Sequence, residues 1–368
     1  MLPSAGRVVG AAILCAVGAS CQLVAGIEPW AAASSGGGGA STTATTTSGS
    51  ETGSSSSGCD VLCSGCFGGE CACGVCLPVV VKLSDNSKCL AGSPRCLAAA
   101  PDHVMVMKGA GTSEDVLLVP KAQPAEPTPS LEAVDVKDVA WFEGTGYALS
   151  GTGIYFGDAT KPWSSTIQIP DAQPSFLRRL EFSSSADLLV YVDDSRSPDS
   201  GLYRVDLDKP TNLLPGKLLT GATTDGQDRA WVAVSAAQPR LESYTSGFAG
   251  SDVVPLDGPA VDLAGGGGTI FVVLADGAVL ARSAAPPSNL VPVLLSAAVT
   301  TKRIAWTPKF VYGSDGKSIF RWSTAPPYAV DAAFTIDAPD TLDFAADEQG
   351  LYWIDSMDQL HLLGLKNQ

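Results

Sequence analysis

An all-β fold assembled from repeated four-stranded units is predicted by three features of this sequence. Glycine and proline are abundant, at 39 and 25 of 368 residues, which favours short strands and turns over long helices. After Cys96 the apolar residues fall into short runs punctuated by Gly, Asp and Pro, and none keeps a helical period over a dozen positions. These runs recur with a spacing of about forty residues.

The spacing is clearest at the C-terminal end, where "LYWIDSMDQLHLL" (351–363) reads as an apolar strand ending in aromatic-x-x-Asp, a turn, and a second strand. Tyr352-Trp-Ile-Asp355 has counterparts in Tyr312-Gly-Ser-Asp315, Val273-Leu-Ala-Asp276 and Tyr191-Val-Asp-Asp194. Two copies end in serine, Val232-Ala-Val-Ser235 and Tyr147-Ala-Leu-Ser150. The first positions, 147, 191, 232, 273, 312 and 352, are separated by 44, 41, 41, 39 and 40 residues. A strand follows each copy, as in "GLYRVDL" (201–207) and "SIFRWS" (318–323). Another precedes most copies, as in Val139-Ala-Trp141, Val261-Asp-Leu263 and Leu342-Asp-Phe344, and an apolar run such as "VPVLLSA" (291–297) closes the unit. Four strands per forty residues is the signature of a β-propeller blade. One blade cannot cover both of its faces, whereas blades packed in a ring cover each other and leave only short edges. Ala275-Asp276-Gly277 and Ser314-Asp315-Gly316 supply Asp-Gly at hairpin turns, where positive φ is required. "HVMVMKG" (103–109) and "EDVLLVPK" (114–121) add one more unit, giving seven blades, with six as the alternative. The last unit lacks an outer strand, and "PVVVKL" (78–83) is a candidate to supply it from the N-terminal side.

"GLYWIDSMDQLHLL", and more loosely "LLVYVDDSRSPDSGLYRVDL", resemble the YWTD repeat of lipoprotein-receptor propellers, with Ile354 where that family has Thr. That family is six-bladed, and its Asp braces blades through backbone hydrogen bonds. The resemblance therefore implies structural roles for Asp194, Asp276, Asp315 and Asp355 and for Tyr147, Tyr191, Tyr312 and Tyr352.

The N-terminus reads as an export signal. Arg7 gives a positive start, Val8–Val17 an apolar stretch too short to span a bilayer, and Gly18-Ala19-Ser20 a small-residue site before Cys21. This resembles a bacterial lipobox, with Gly18 where that motif prefers Leu, and implies lipidation of Cys21. Gln22 following it implies sorting to an outer membrane. The alternative is cleavage after Ala19 and free secretion. Residues 34–58 are almost all Ser, Gly and Thr, which offers too little apolar surface to offset chain entropy, so a disordered linker is expected. The expected organisation is a signal over 1–20, an anchored linker over 21–58, a Cys-rich segment over 59–96 and the propeller over 97–368.

Eight cysteines remain once Cys15 and Cys21 are set aside: Cys59, Cys63, Cys66, Cys71, Cys73, Cys76, Cys89 and Cys96. A dense, even set in an exported chain reads as a disulfide framework, with 105 possible pairings. Only six residues separate Cys66 from Cys73, closer than paired zinc knuckles usually stand. Cys73-Gly-Val-Cys76 lacks the strand-then-helix context of a redox pair. No metal or cofactor is expected.

The formal net charge of −15 and the lack of a Lys/Arg stripe argue against nucleic acid as a partner. The only histidines are His103 and His361, and no nucleophile elbow, zincin or Walker sequence occurs. "VDDSRSPDSG" (192–201) and "VDLDKP" (205–210) lack the spacing that wraps a loop around calcium. No catalytic residue is assigned. The expectation is an exported, lipid-anchored envelope protein. Its propeller would bind or scaffold an extracytoplasmic protein, peptide or glycan, with membrane contact through the N-terminal lipid. The alternative is a propeller enzyme, of lactonase or glycan-cleaving type, with acidic residues at the central channel.

Overall fold

The structure is a computed structural model. It describes residues 66–67, 71–72, 75–83, 89, 95–110, 113–124, 127–133, 136–142, 144–150, 153–160, 162–163, 165–168, 177–182, 188–192, 200–205, 210–227, 229–245, 252–283, 290–293 and 299–365. The expected signal, Cys21, the linker, Cys59, Cys63, Cys73 and Asp194 lie outside these residues.

Seven four-stranded antiparallel sheets make up the ring. Their inner strands are Leu97–Ala99, Val136–Phe142, Leu177–Phe182, Leu219–Thr224, Ala260–Gly266, Arg303–Trp306 and Thr341–Ala346, taken here as blades 1 to 7. Each inner strand touches the next, and that of blade 7 returns to blade 1, so the ring is closed. In blades 1 to 6 the four strands run outward in chain order. Blade 7 is completed by Val79–Lys82, which pairs antiparallel with its third strand, Gln359–Gly364, placing Val79 opposite Leu362. The fourth strand of the last blade thus comes from the N-terminal side, as the sequence suggested.

Strand register fixes which residues are equivalent. In blades 2, 3, 4, 5 and 7 the inner strand carries a bulge, and the residue after it is Asp138, Arg179, Gly221, Asp262 or Asp343. The position two residues further on pairs with Tyr147, Leu189, Trp231, Phe271 or Tyr352 on the second strand. The matching partners are Met105 opposite Ala98 in blade 1 and Tyr312 opposite Ala305 in blade 6. This corrects the repeat as read from the sequence. Tyr191 pairs with Arg179, two residues beyond the true counterpart of Tyr352, and Val273 and Val232 are displaced by two and one. The cause is that hairpin tips vary in length while the sheet centre does not, so aligning on the vivid Asp-Gly turns slips the register.

These second-strand residues build the core. Met105, Trp231, Phe271, Tyr312 and Tyr352 are all at most 2% exposed. Each clusters with residues of the following blade: Trp231 with Leu263 and Val272, Phe271 with Ile304 and Trp322, Tyr312 with Phe344 and Trp353. A strand with one apolar residue on each face serves two inter-blade layers at once, which is why Gly350–Asp355 is buried at every position. Trp163, Trp231 and Trp322 are likewise buried. Gly266 is required by packing, because a Cβ there would stand 2.5 Å from the Trp306 ring.

Two disulfides are described. Cys66–Cys76 (Cα–Cα 5.3 Å) lies in the core cluster of blades 6 and 7, and Cys89–Cys96 (Cα–Cα 5.7 Å) stands at the start of blade 1. Cys71 lies in a two-residue strand paired with Val75–Cys76. Phe67 packs on the Tyr352 ring, with centroids 5.7 Å apart. The described part of the Cys-rich segment therefore lies against the closing blade.

Candidate functional site at the mouth of the ring

The bulges aim carboxylates along the inner strands. Asp138, Asp262 and Asp343 are 0–2% exposed, and a buried carboxylate is tolerated only when hydrogen-bonded. Asp262 Oδ2 accepts from Ile304 N of the next blade (2.9 Å), and its Oδ1 accepts from Leu263 N (3.1 Å). Asp343 does the same across the ring seam, accepting from Cys96 N (2.8 Å) and Leu97 N (3.3 Å) with Oδ2. Asp138 Oδ1 accepts from Val139 N (2.9 Å). Charge-assisted bonds of this kind are roughly twice as strong as neutral ones. Inner-strand carboxylates, not the hairpin carboxylates, thus carry the bracing seen between blades.

Arg95 lies on the same end of the ring, just before the inner strand of blade 1. Its Nη2 donates to Asp262 Oδ2 of blade 5 (2.8 Å) and to Ile304 O of blade 6, and its Nη1 donates to Phe344 O of blade 7 (3.2 Å). Nη1 also stands 3.6 Å from Asp343 Oδ1. A side chain rooted in blade 1 that reaches blades 7, 6 and 5 runs past three consecutive inner strands. Arg95 thus links the inner strands of blades 5, 6 and 7, and its planar fork serves three acceptors at once, with Asp343 beside it as a fourth, charged neighbour. Nothing around it in the sequence marks it, since its partners lie 167 to 249 residues away.

The residues singled out from the sequence sit elsewhere. Asp276 Oδ1 accepts from Ala278 N (2.9 Å), and Asp315 Oδ1 accepts from Lys317 N and Ser318 N (both 2.8 Å). Asp355 Oδ1 accepts from Met357 N (2.9 Å) and Gln359 N (3.0 Å). Each carboxylate closes its own hairpin turn, and Gly277 and Gly316 take positive φ (86° and 87°) as the turns require. His361 pairs with Asp355 (2.9 Å) and stacks flat on Trp353 at 4.8 Å, on the third strand of blade 7. His103 begins the second strand of blade 1, and burial lowers its pKa. Neither histidine is on an inner strand. The Tyr147 ring stacks on Phe156 at 6.1 Å. Tyr312 is packed between Phe310 and Phe334, and burial pushes its phenol up.

Two further polar clusters are buried. At the seam, Lys121 pairs with Asp347, donates to Pro101 O (3.0 Å) and lies over the Tyr352 ring (4.9 Å), while the Tyr352 hydroxyl donates to Asp347 Oδ1 (2.9 Å). Burial lowers the Lys121 pKa against the pull of Asp347, and burial with Asp347 raises that of Tyr352. In blade 4, Glu242 accepts from Lys217, from the Tyr244 hydroxyl and from Arg240 Nε (2.7 Å). Burial alone would raise this carboxyl, but the three donors outweigh it and hold it at about 2. Among the described residues, no group of three or more His, Cys, Asp or Glu is placed to hold a metal ion.

The fold and mouth define a closed seven-bladed β-propeller. Solved propellers resemble it in shape at low identity. Virginiamycin B lyase from Staphylococcus aureus aligns with TM-score 0.59 and 9% identity, over 79% of this chain and 99% of that one. PorZ, a bacterial surface component of the type-IX secretion system of Porphyromonas gingivalis, aligns with TM-score 0.57 and 15% identity over 78% of this chain. This chain spans only 38% of PorZ. The Pan2 WD40 domain of Neurospora crassa aligns with TM-score 0.57 and 12% identity, over 76% of this chain and 90% of that one. The sequence matches no family model and no curated protein. At such identities the likeness establishes the fold alone.

Proposed function

We propose that this chain is an exported, lipid-tethered envelope protein whose propeller serves as a binding or scaffold module for an extracytoplasmic protein, peptide or glycan. The observation that supports binding over catalysis is the commitment of the mouth. Asp262 and Asp343 brace neighbouring blades and share Arg95, which links the inner strands of blades 5 to 7. A general acid or base needs a carboxylate within reach of a substrate, and here both are engaged by backbone N–H groups and a guanidinium. A surface role has a structural parallel in PorZ, though the likeness extends only to the fold.

The test has two arms. Mass spectrometry of the mature N-terminus should find diacylglycerol on Cys21, and Cys21→Ser should release the protein from membranes. An unmodified start at Ser20 would end the anchoring claim. Purified propeller should turn over neither lactone nor glycoside substrates. Turnover that Asp262→Asn abolishes in a folded variant would replace the binding reading with the enzyme reading.

A further inference from the structure

A guanidinium between blades 4 and 5 has more donors than the described protein uses. Arg282, on the third strand of blade 5 (Val279–Ser283), is 4% exposed and lies with its guanidinium carbon 4.6 Å from the centre of the Trp231 ring of blade 4. Its Nε and Nη1 are buried and bond to nothing among the described residues. Buried donors left unmade are costly and stand out in a folded protein.

Its surroundings point to an anion. Nη2 stands 3.7 Å from Asp252 Oδ2, beyond hydrogen-bond length, so Asp252 balances charge without satisfying a donor. The same oxygen accepts from Arg229 Nη1 at 3.0 Å. Two arginines thus share one carboxylate that is itself half exposed, its side chain at 54% and that of Arg229 at 39%. The other carboxylate nearby, Asp225, is spent on Gln227 N (2.7 Å), Arg229 N (3.3 Å) and the Trp231 indole N–H (3.4 Å). Trp231 therefore has its edge fixed from one side and its face covered by Arg282 on the other.

We infer that the Arg229–Arg282 pair is a carboxylate-binding site, for which Asp252 is a loosely seated internal occupant that an acidic side chain or a small carboxylate displaces. A planar carboxylate matches the fork of a guanidinium, and stacking on Trp231 holds that fork in one orientation. In a chain of net charge −15, a second arginine beside a buried one with unused donors is a local exception that would select acidic groups. The inference deepens the binding reading by giving the partner's chemistry, but it is tested without a tether, a membrane or a turnover assay, so the two can fail separately.

The test uses the whole mature protein and the variant Asp252→Asn, which is surface-exposed and keeps side-chain size. Sodium acetate and a triglutamate peptide are titrated against sodium chloride at matched ionic strength. Binding is read from the Arg side-chain Nε–H signals and from the melting temperature, since a ligand that binds only the folded state raises it. Removing the competing carboxylate should tighten carboxylate binding at least about tenfold, a coupling typical of close charge pairs. Arg282→Gln in the Asp252→Asn background should abolish it. Stronger binding of the peptide than of acetate supports an acidic partner segment, and equal binding supports a small carboxylate. If carboxylates move neither readout beyond chloride in wild type or in Asp252→Asn, or if Arg229→Gln and Arg282→Gln leave binding intact, the inference is overturned and Arg282 is a packing residue over Trp231.

Discussion

Glu242 offers a quantitative check on how the buried polar groups contribute. It is 3% exposed and ionised among Lys217, Arg240 and Tyr244. Held at about 2 against an ordinary 4.5, it contributes on the order of 3 kcal/mol to stability at neutral pH. Because the folded value is the lower one, this contribution is complete above the unfolded value and is lost as pH falls towards 2. Glu242→Gln keeps the shape and removes the charge. The variant should be less stable than wild type by about 3 kcal/mol at pH 7, and the gap should close to near zero by about pH 2. Urea unfolding followed by tryptophan fluorescence, at fixed ionic strength and a series of pH values, measures both curves. Titrations elsewhere in the chain are common to both proteins and cancel in the difference. A gap that stays constant with pH would refute the reasoning, since the loss would then come from packing rather than from ionisation. A gap below about 1 kcal/mol at neutral pH would place Glu242 with ordinary surface pairs.

Two further outcomes follow from the bracing pattern. Asp343→Ala leaves the Cys96 and Leu97 N–H groups without a partner and removes a countercharge of Arg95 at the ring seam, and should cost about 3–5 kcal/mol. Asp276→Ala, which removes one exposed turn bond, should cost about 1 kcal/mol or less, and chemical denaturation of the pair reads the contrast directly. Gly266→Ala sets a methyl group against the Trp306 ring and should destabilise by about 1–3 kcal/mol, with a change in tryptophan emission.

The period of the ring was legible because turns recur in every blade, and Asp-Gly pairs and apolar runs are local signals. The closing role of residues 78–83 was legible for a related reason: the last unit was visibly one strand short. Register was not legible. Tyr191 and Val273 each stand two residues beyond the true counterpart of Tyr352, because a hairpin tip can lengthen by two residues and keep every side chain on its own face. Asp138, Asp262 and Asp343 had a usable signal that was passed over, a carboxylate inside an otherwise apolar strand, where only a hydrogen-bonded role is affordable. Arg95 and Arg282 had none. What matters about each is contact with residues far away in the chain, and a charged residue next to a cysteine or within an "ARS" stretch reads as ordinary surface.

The insertion of Val79–Lys82 into blade 7 also sets the order in which the ring can form. That strand is made before any blade, yet its partner, Gln359–Leu362, is made after nearly all of them. Blades 1 to 6 can each pair locally as they emerge, whereas the seventh must wait for both ends of the ring. The seam contacts, Asp343 to Cys96 and Lys121 to Asp347, are of the same long-range kind. Contacts between distant parts of a chain form slowly, because the ordering cost comes before the gain. Closure should therefore be the late step of folding. Before it, the blade 7 face of Tyr352 and Ile354 and the blade 1 face of Val104, Val106 and Val119 would lie open as the chain's most aggregation-prone surfaces.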